Sequence, residues 1–320
     1  MKKKFALLLI AFAAACTAAH AQSGRWPNKP VRVIVPFPAG GVVDLVGRLL
    51  AARLSEEFRE QFIVDNRGGA GSQIGTEIAV RANPDGYTII LVPTSYATNA
   101  ALYKLPYDPN KAFAPISLVT IGPLVLVVHP SVKANTLKEF IDLARAKPGA
   151  LNFGSQGTGS AGHFVISLFQ QMSGIELVHV PYKGDAPAMI DLVAGQVQAY
   201  FGGPLVTLPH INAGRVRGLA VTTAKRSRAL PDLPAVSEQL PGFAVPMWYG
   251  VLSPAGTPRE IVTQLNQAIA RIVKNPDVQQ RLLNEGMEIA PSTPQEFASL
   301  IANEVARFTK VVKTANFKVD

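Results

Sequence analysis

Apolar residues gather along this chain in two ways, as short solid runs and as stripes at helical spacing, and from residue 31 onward the two alternate. Solid runs stand at 31–37 (VRVIVPF), 61–66 (QFIVDN) and 88–93 (TIILVP). Between the first two, Leu45, Leu49, Leu50, Leu54 and Phe58 recur at helical spacing, which predicts an amphipathic helix over 43–60. Strands that are apolar on both faces and joined by such a helix form a βαβαβ unit with a parallel, covered sheet.

A second unit follows. It has a helix over 137–146 opened by Thr136 and Glu139 as a capping box, a strand at 150–155 (ALNFGS) and a helix over 160–172. Next come a strand at 176–181 (ELVHVP), a helix near 186–193, and strands at 197–202 (VQAYFG) and 217–223 (RGLAVTT). Two α/β units predict two lobes. The long apolar stretch 116–130, broken by Gly122-Pro123, and its counterpart at 243–254 read as two crossings between them. Only helices are expected after the second crossing. Thr257-Pro258-Arg259-Glu260 and Thr293-Pro294-Gln295-Glu296 each place a capping threonine, a first-turn proline and a glutamate. The expected division is therefore a discontinuous lobe of 22–122 plus 246–320 and a second lobe of 123–245.

The N-terminus changes what counts as the mature chain. Lys2, Lys3 and Lys4 precede an apolar run from Phe5 to Ala15, and Ala19-His20-Ala21 closes it as a secretory signal peptide over 1–21, implying export to the periplasm. The run is too short to span a bilayer comfortably. Cys16, the single cysteine, lies in this leader, so the mature chain has no disulfide, thiolate metal site or cysteine nucleophile. Ala13-Ala14-Ala15-Cys16 also makes a weak lipoprotein site, a minor alternative in which Cys16 carries a lipid anchor. Without the leader, Lys and Arg fall from 31 to 28 against 22 acids, and the charge falls from +9 to +6. The basic residues are scattered, with no dense helix or aromatic interleaving, which argues against nucleic acid and leaves anion capture open.

Three strand-to-helix junctions are rich in glycine: 36–41 (PFPAGG), 67–75 (RGGAGSQIG) and 154–163 (GSQGTGSAGH). Glycine there permits tight turning, and helix N-termini at the carboxyl ends of parallel strands attract anions. Gly157-Thr158-Gly159-Ser160-Ala161-Gly162 fits G-x-G-x-x-G, but the next strand ends in Val180-Pro181-Tyr182-Lys183 with no acid for a ribose. No G-x-S-x-G surrounds Ser155 or Ser160, no GK[ST] is present, and His129, His163, His179 and His210 are too dispersed for a local zinc motif. Asp44, at a helix start, reads as a scaffold for the loop in preference to a general base, and His163 as a loop-fixing or ligand-contact residue.

The ordered set of these loops is familiar. Val35 to Gly41 with Asp44, Asp65-Asn66-Arg67 with Gly69-Ala70-Gly71 and Gly75, Asp85-Gly86-Tyr87-Thr88, and Gly154-Ser155 through His163 are four of its pieces. Pro181-Tyr182-Lys183-Gly184 with Pro187-Ala188, Leu219 to Thr222, Pro231-Asp232-Leu233-Pro234 and Trp248-Tyr249-Gly250 complete it. Together they resemble the Bug family, extracytoplasmic solute receptors associated with tripartite tricarboxylate transporters. The resemblance implies a type II periplasmic-binding-protein fold that closes as a monomer over a small carboxylate, without metal or cofactor. Membrane permease subunits, or alternatively a membrane sensor, would be its partners, and a secreted hydrolase on the same scaffold is the remaining alternative.

It also implies which residues hold the ligand. One carboxylate would lie between Phe37, Ala39, Gly40, Gly41 and Asp44 of the first lobe and Ser155, Gly157, Thr158, Gly159, Ser160 and His163 of the second. Thr94, Ser95, Tyr96, Tyr182, Lys183, Phe201, Gly202 and Gly203 would line the far end. Where many members carry an acid after the phenylalanine, this chain has Phe201-Gly202-Gly203, and the expected preference is for a plain or aromatic carboxylate over an amino acid.

Overall fold

A computed structural model describes residues 26–314; the predicted leader, with Cys16, lies outside the described residues. The chain opens with β1 (Val31–Val35), α1 (Val42–Phe58), β2 (Phe62–Asn66), α2 (Gln73–Val80), β3 (Thr88–Pro93) and α3 (Ser95–Leu102). β1 pairs in parallel with β2 on one side and β3 on the other, as a right-handed βαβαβ unit requires. The first strand stops at Val35, two residues before the end of its apolar run, because Pro36 offers no N–H to extend the ladder.

The long apolar stretch is two strands, β4 (Phe113–Gly122) and β5 (Val125–Val128), divided at the expected Gly122-Pro123 break. The second unit follows as α4 (Leu137–Ala146), β6 (Asn152–Ser155), α5 (Ala161–Ser173), β7 (Val178–Pro181), α6 (Asp185–Val193), β8 (Ala199–Gly202), α7 (Pro204–Asn212) and β9 (Arg217–Val221). β10 (Met247–Pro254) returns to the first sheet, followed by α8 (Arg259–Lys274), α9 (Pro276–Asn284), β11 (Glu288–Ile289) and α10 (Pro294–Thr314).

Two sheets result, β11-β4-β10-β3-β1-β2 and β7-β6-β8-β5-β9. Each is parallel within its βαβ unit and antiparallel where a crossing strand joins, at β10 against β3 and β4 and at β5 against β8 and β9. The two-residue β11 was not expected among the closing helices; it pairs with β4 through Glu288 and Ile289. Thr293 and Glu296 cap α10 reciprocally, whereas Thr257 does not cap α8: its hydroxyl donates to the Pro254 carbonyl at 2.7 Å. Thr136 accepts from the Glu139 amide, while the Glu139 carboxylate reaches the amide of Asn135, one residue before the cap.

The halves touch away from the crossings as well. Phe164 of α5 packs edge-on against Phe308 of α10 at 4.5 Å, and the Thr98 hydroxyl donates to the Gly159 carbonyl at 3.2 Å.

Candidate functional site

Five helices begin at one place between the two sheets, at the carboxyl ends of β1, β3, β6, β7 and β8. Val42 and Val43 of α1, Ser95 of α3, Ala161 of α5, Asp185 of α6 and Gly203 before α7 all line one inner cavity of about 30 Å³. By this measure roughly 10–15 Å³ holds one water, so the cavity has room for a group about the size of a carboxylate. Each helix start leaves N–H groups without intrahelical partners and carries about half a positive charge, so the five create a positive field without a lysine or arginine. A larger cleft of about 600 Å³ lies on the outer side, lined by Pro38, Gly68 to Gly71, Thr158 and Lys183 among others. Phe37 and Gln156 border both spaces.

The first loop is shaped by Asp44. Its Oδ2 accepts from the Gly40 amide at 3.0 Å and from Arg48 Nε at 2.9 Å, and its Oδ1 accepts from Asn66 Nδ2 at 2.9 Å. Asn66 also donates to the Phe37 carbonyl, so one buried acid and one amide tie both ends of the turn. Burial raises the proton affinity of Asp44, but these three hydrogen bonds outweigh it and hold the carboxyl below its ordinary range. Gly40 takes a φ of +92°, which L side chains rarely adopt, and its amide is engaged by Asp44 instead of facing a ligand. Ala39 and Gly40 are exposed and line neither space.

The second loop is likewise bonded to itself. The Gly157 amide donates to Ser155 Oγ, the Ser160 amide to the Gly157 carbonyl, and the Gly159 amide to His163 Nδ1 at 3.1 Å. Accepting that bond requires Nδ1 to be unprotonated. Burial, with the stacked His179 ring 4.1 Å away, lowers the His163 pKa to about 4 and keeps it neutral. Ser155 Oγ meets His179 Nε2 at 2.6 Å, but Ser155 is fully buried and lines neither space, so the pair is not presented to a substrate.

Of the residues expected at the far end, Ser95 and Gly203 line the inner cavity and Tyr182 and Lys183 the outer cleft. Ser160 lines the inner cavity, and Gly157 and Thr158 the outer cleft. Tyr96 points elsewhere: its hydroxyl donates to the Pro109 carbonyl and its ring lies against Phe113. Thr94 accepts from the Trp248 amide at 2.8 Å. Phe201 packs in the core against Phe153 and Phe169, because side chains alternate along a strand and it is Tyr200 whose hydroxyl reaches Asp185 and Gln156 from the other face.

Three polar residues at the inner cavity were passed over, Gln156, Asp185 and Tyr249, along with its apolar lining. Asp185 Oδ1 accepts from the Tyr200 hydroxyl at 2.5 Å and from Gln156 Nε2 at 3.1 Å. Burial raises its pKa despite these bonds. Its signal in the sequence is an acid at the first position of a helix, directly after Tyr182-Lys183-Gly184. Gly202 lets this arrangement form, since a Cβ there would collide with the Tyr200 ring.

The model of the tripartite tricarboxylate transporter family receptor matches residues 46–317. The chain belongs to this family. Protein BugT of Bordetella pertussis is 33% identical over 323 residues, covering 100% of this chain and 99% of BugT. Among solved members, an R. palustris protein with adipate is 38% identical with a TM-score of 0.87, covering 91% of this chain and 98% of that one. MatC from Rhodopseudomonas palustris, with bound malate, is 31% identical with a TM-score of 0.85, covering 90% and 100%. Family membership accounts for the two mixed sheets and places the chain among solute-binding receptors.

Proposed function

We propose that this receptor captures a small carboxylate-bearing metabolite in the periplasm and delivers it, chemically unchanged, to the membrane permease of a tripartite tricarboxylate-type transporter. The observation that carries the reading is the convergence of five helix starts on one cavity between the halves. Backbone N–H groups there, helped by the Ser95 and Ser160 hydroxyls and by ordered water, hold a carboxylate without a buried cation. Adipate and malate in two solved relatives support the ligand class.

A cavity of about 30 Å³ is too small for a four-carbon acid as it stands, so the halves part to load it. The lobes that move are 26–122 with 246–314 against 123–245, rotating about Gly122-Pro123 and the segment before Trp248. The experiment is thermal unfolding with a panel of mono-, di- and tricarboxylates, with the ligand recovered afterwards. The expected result is a melting temperature that rises with the logarithm of one acid's concentration and an acid returned intact. Small-angle scattering should show compaction at saturation. No stabilisation by any carboxylate, or turnover of the bound one, would overturn the proposal.

A further inference from the structure

Asp185 is the one charged residue among the described residues that line the inner cavity. Its two oxygens have different surroundings. Oδ1 is fully engaged by the Tyr200 hydroxyl and Gln156 Nε2, and Gln156 is itself anchored on Tyr200 and on the Phe201 carbonyl. Oδ2 takes no hydrogen bond from another side chain among the described residues and lies toward the first loop, 3.3 Å from where a Gly41 Cβ would stand; the carboxyl's further bond is to its own backbone N–H at the helix start. A rigidly held acceptor therefore faces the space where five helix starts would hold an anion. In its ionised form, which the Tyr200 and Gln156 hydrogen bonds favour against burial, an acid set there disfavours a bare carboxylate unless the ligand brings a hydrogen-bond donor of its own. The premise for a preference against amino acids, a pocket without an acid, does not hold: Gly202 makes room for the Tyr200 ring, and Tyr200 fastens an acid that enters from α6.

We propose that Asp185 is a specificity-determining residue whose Oδ2 accepts a hydrogen bond from a hydroxyl or ammonium group on the carbon next to the bound carboxylate, making this a receptor for 2-hydroxy or 2-amino acids. The inference rests on the carboxylate-receptor reading above. The adjacency follows from place, since Asp185 lines the same cavity as the helix starts that would hold the carboxylate. The rest of the ligand extends past Phe37 and Gln156 toward the outer cleft, where Lys183 stands.

Matched acids test this by calorimetry: propionate, lactate and alanine; succinate, malate and aspartate; glutarate, 2-hydroxyglutarate and glutamate. In the best-binding series the donor-bearing member should bind at least about tenfold tighter than the unsubstituted acid, the size of one charge-assisted hydrogen bond. Asp185→Asn keeps the shape and turns the comparison round. Tyr200 and Gln156 both donate to the Oδ1 position, so the amide oxygen settles there and the NH₂ faces the cavity as a donor. That variant should close the gap or favour the unsubstituted acid. Unsubstituted acids binding the wild type as tightly as their substituted partners would overturn the proposal while leaving the receptor reading intact, and this result does not depend on the variant folding. An unchanged preference in a folded Asp185→Asn protein would overturn it as well. Binding of none of these nine acids while another carboxylate of the thermal panel binds would overturn this inference alone, and binding of no carboxylate at all would overturn the receptor reading with it.

Discussion

Acidification should loosen this protein through one ring. His163 is 7% exposed, accepts the Gly159 amide on Nδ1 and stacks on His179, and burial with that neighbour lowers its pKa from 6.5 to about 4. Between these values the unfolded chain binds a proton that the folded one refuses, so stability is fully present above pH 6.5 and falls with pH across the window. At pH 5 the linkage relation gives a loss of about 2 kcal/mol, and at pH 4 about 3 kcal/mol. Asp44 and Asp65 are held below their ordinary range by hydrogen bonds and ion pairs that outweigh burial, so both stay ionised at pH 5 and add little there. Asp185, pushed up by burial, acts in the opposite sense, and His210 in the same sense as His163. A difference measurement removes both. His163→Asn places an untitratable acceptor near Nδ1, so urea denaturation at pH 7.5 and 5.0 should show the wild type losing about 2 kcal/mol more than the variant. Equal losses in the two proteins would refute the argument.

Other expectations follow from single contacts. Asp44→Ala removes the acceptor for Gly40, Asn66 and Arg48; it should cost about 2–3 kcal/mol in chemical denaturation and weaken carboxylate binding through the loosened loop. At Gly40 a Cβ would meet no atom within 4 Å, so a loss of binding by Gly40→Ala in calorimetry will come from the φ of +92°, and normal affinity would show that the turn tolerates the strain. Gly71→Ala would bring a Cβ to 2.8 Å from the Thr158 carbonyl in the other half, at a φ of +59°; titration should show weaker ligand binding, and urea denaturation of the unliganded protein a cost of about 1–2 kcal/mol from the left-handed backbone. Gly250→Ala drives a methyl into the Phe297 ring beneath the central strand β10, an overpacking that should cost about 1–3 kcal/mol by urea denaturation.

Local chemistry made much of this architecture legible before any coordinates. The run at 88–93 and the stripe through Leu45, Leu49 and Leu54 are apolar in the pattern that burial demands, and they fold as β3 and α1. Gly122-Pro123 marks a break because proline cannot serve an interior ladder position, and the chain changes sheets there. What stayed hidden depends on partners distant in sequence. Nothing near residue 200 says which of Tyr200 and Phe201 reaches Asp185, since that is set by the register of β8 against β5 and β6. Asp185 reads locally as an ordinary first-turn acid. It becomes a site residue only when Tyr200 and Gln156, brought from two other elements, grip one of its oxygens. Gly40 misleads in the opposite direction: its glycine signals an unusual φ, but the amide that this turn displays is claimed by Asp44, four residues on.

The place of β10 sets an order of assembly. It lies between β3 and β4, pairing Tyr249 with Pro93 and Trp248 with Ile121, so β4 and β11 join the first sheet only through it. Until residues 247–254 have arrived, the three parallel strands end at a bare β3 edge of almost wholly buried character. Contacts spanning so much chain form slowly, and an open apolar edge is a template for pairing with another molecule. A chain cut short before β10 would therefore carry the complete second unit yet leave the first half unclosed and prone to self-association.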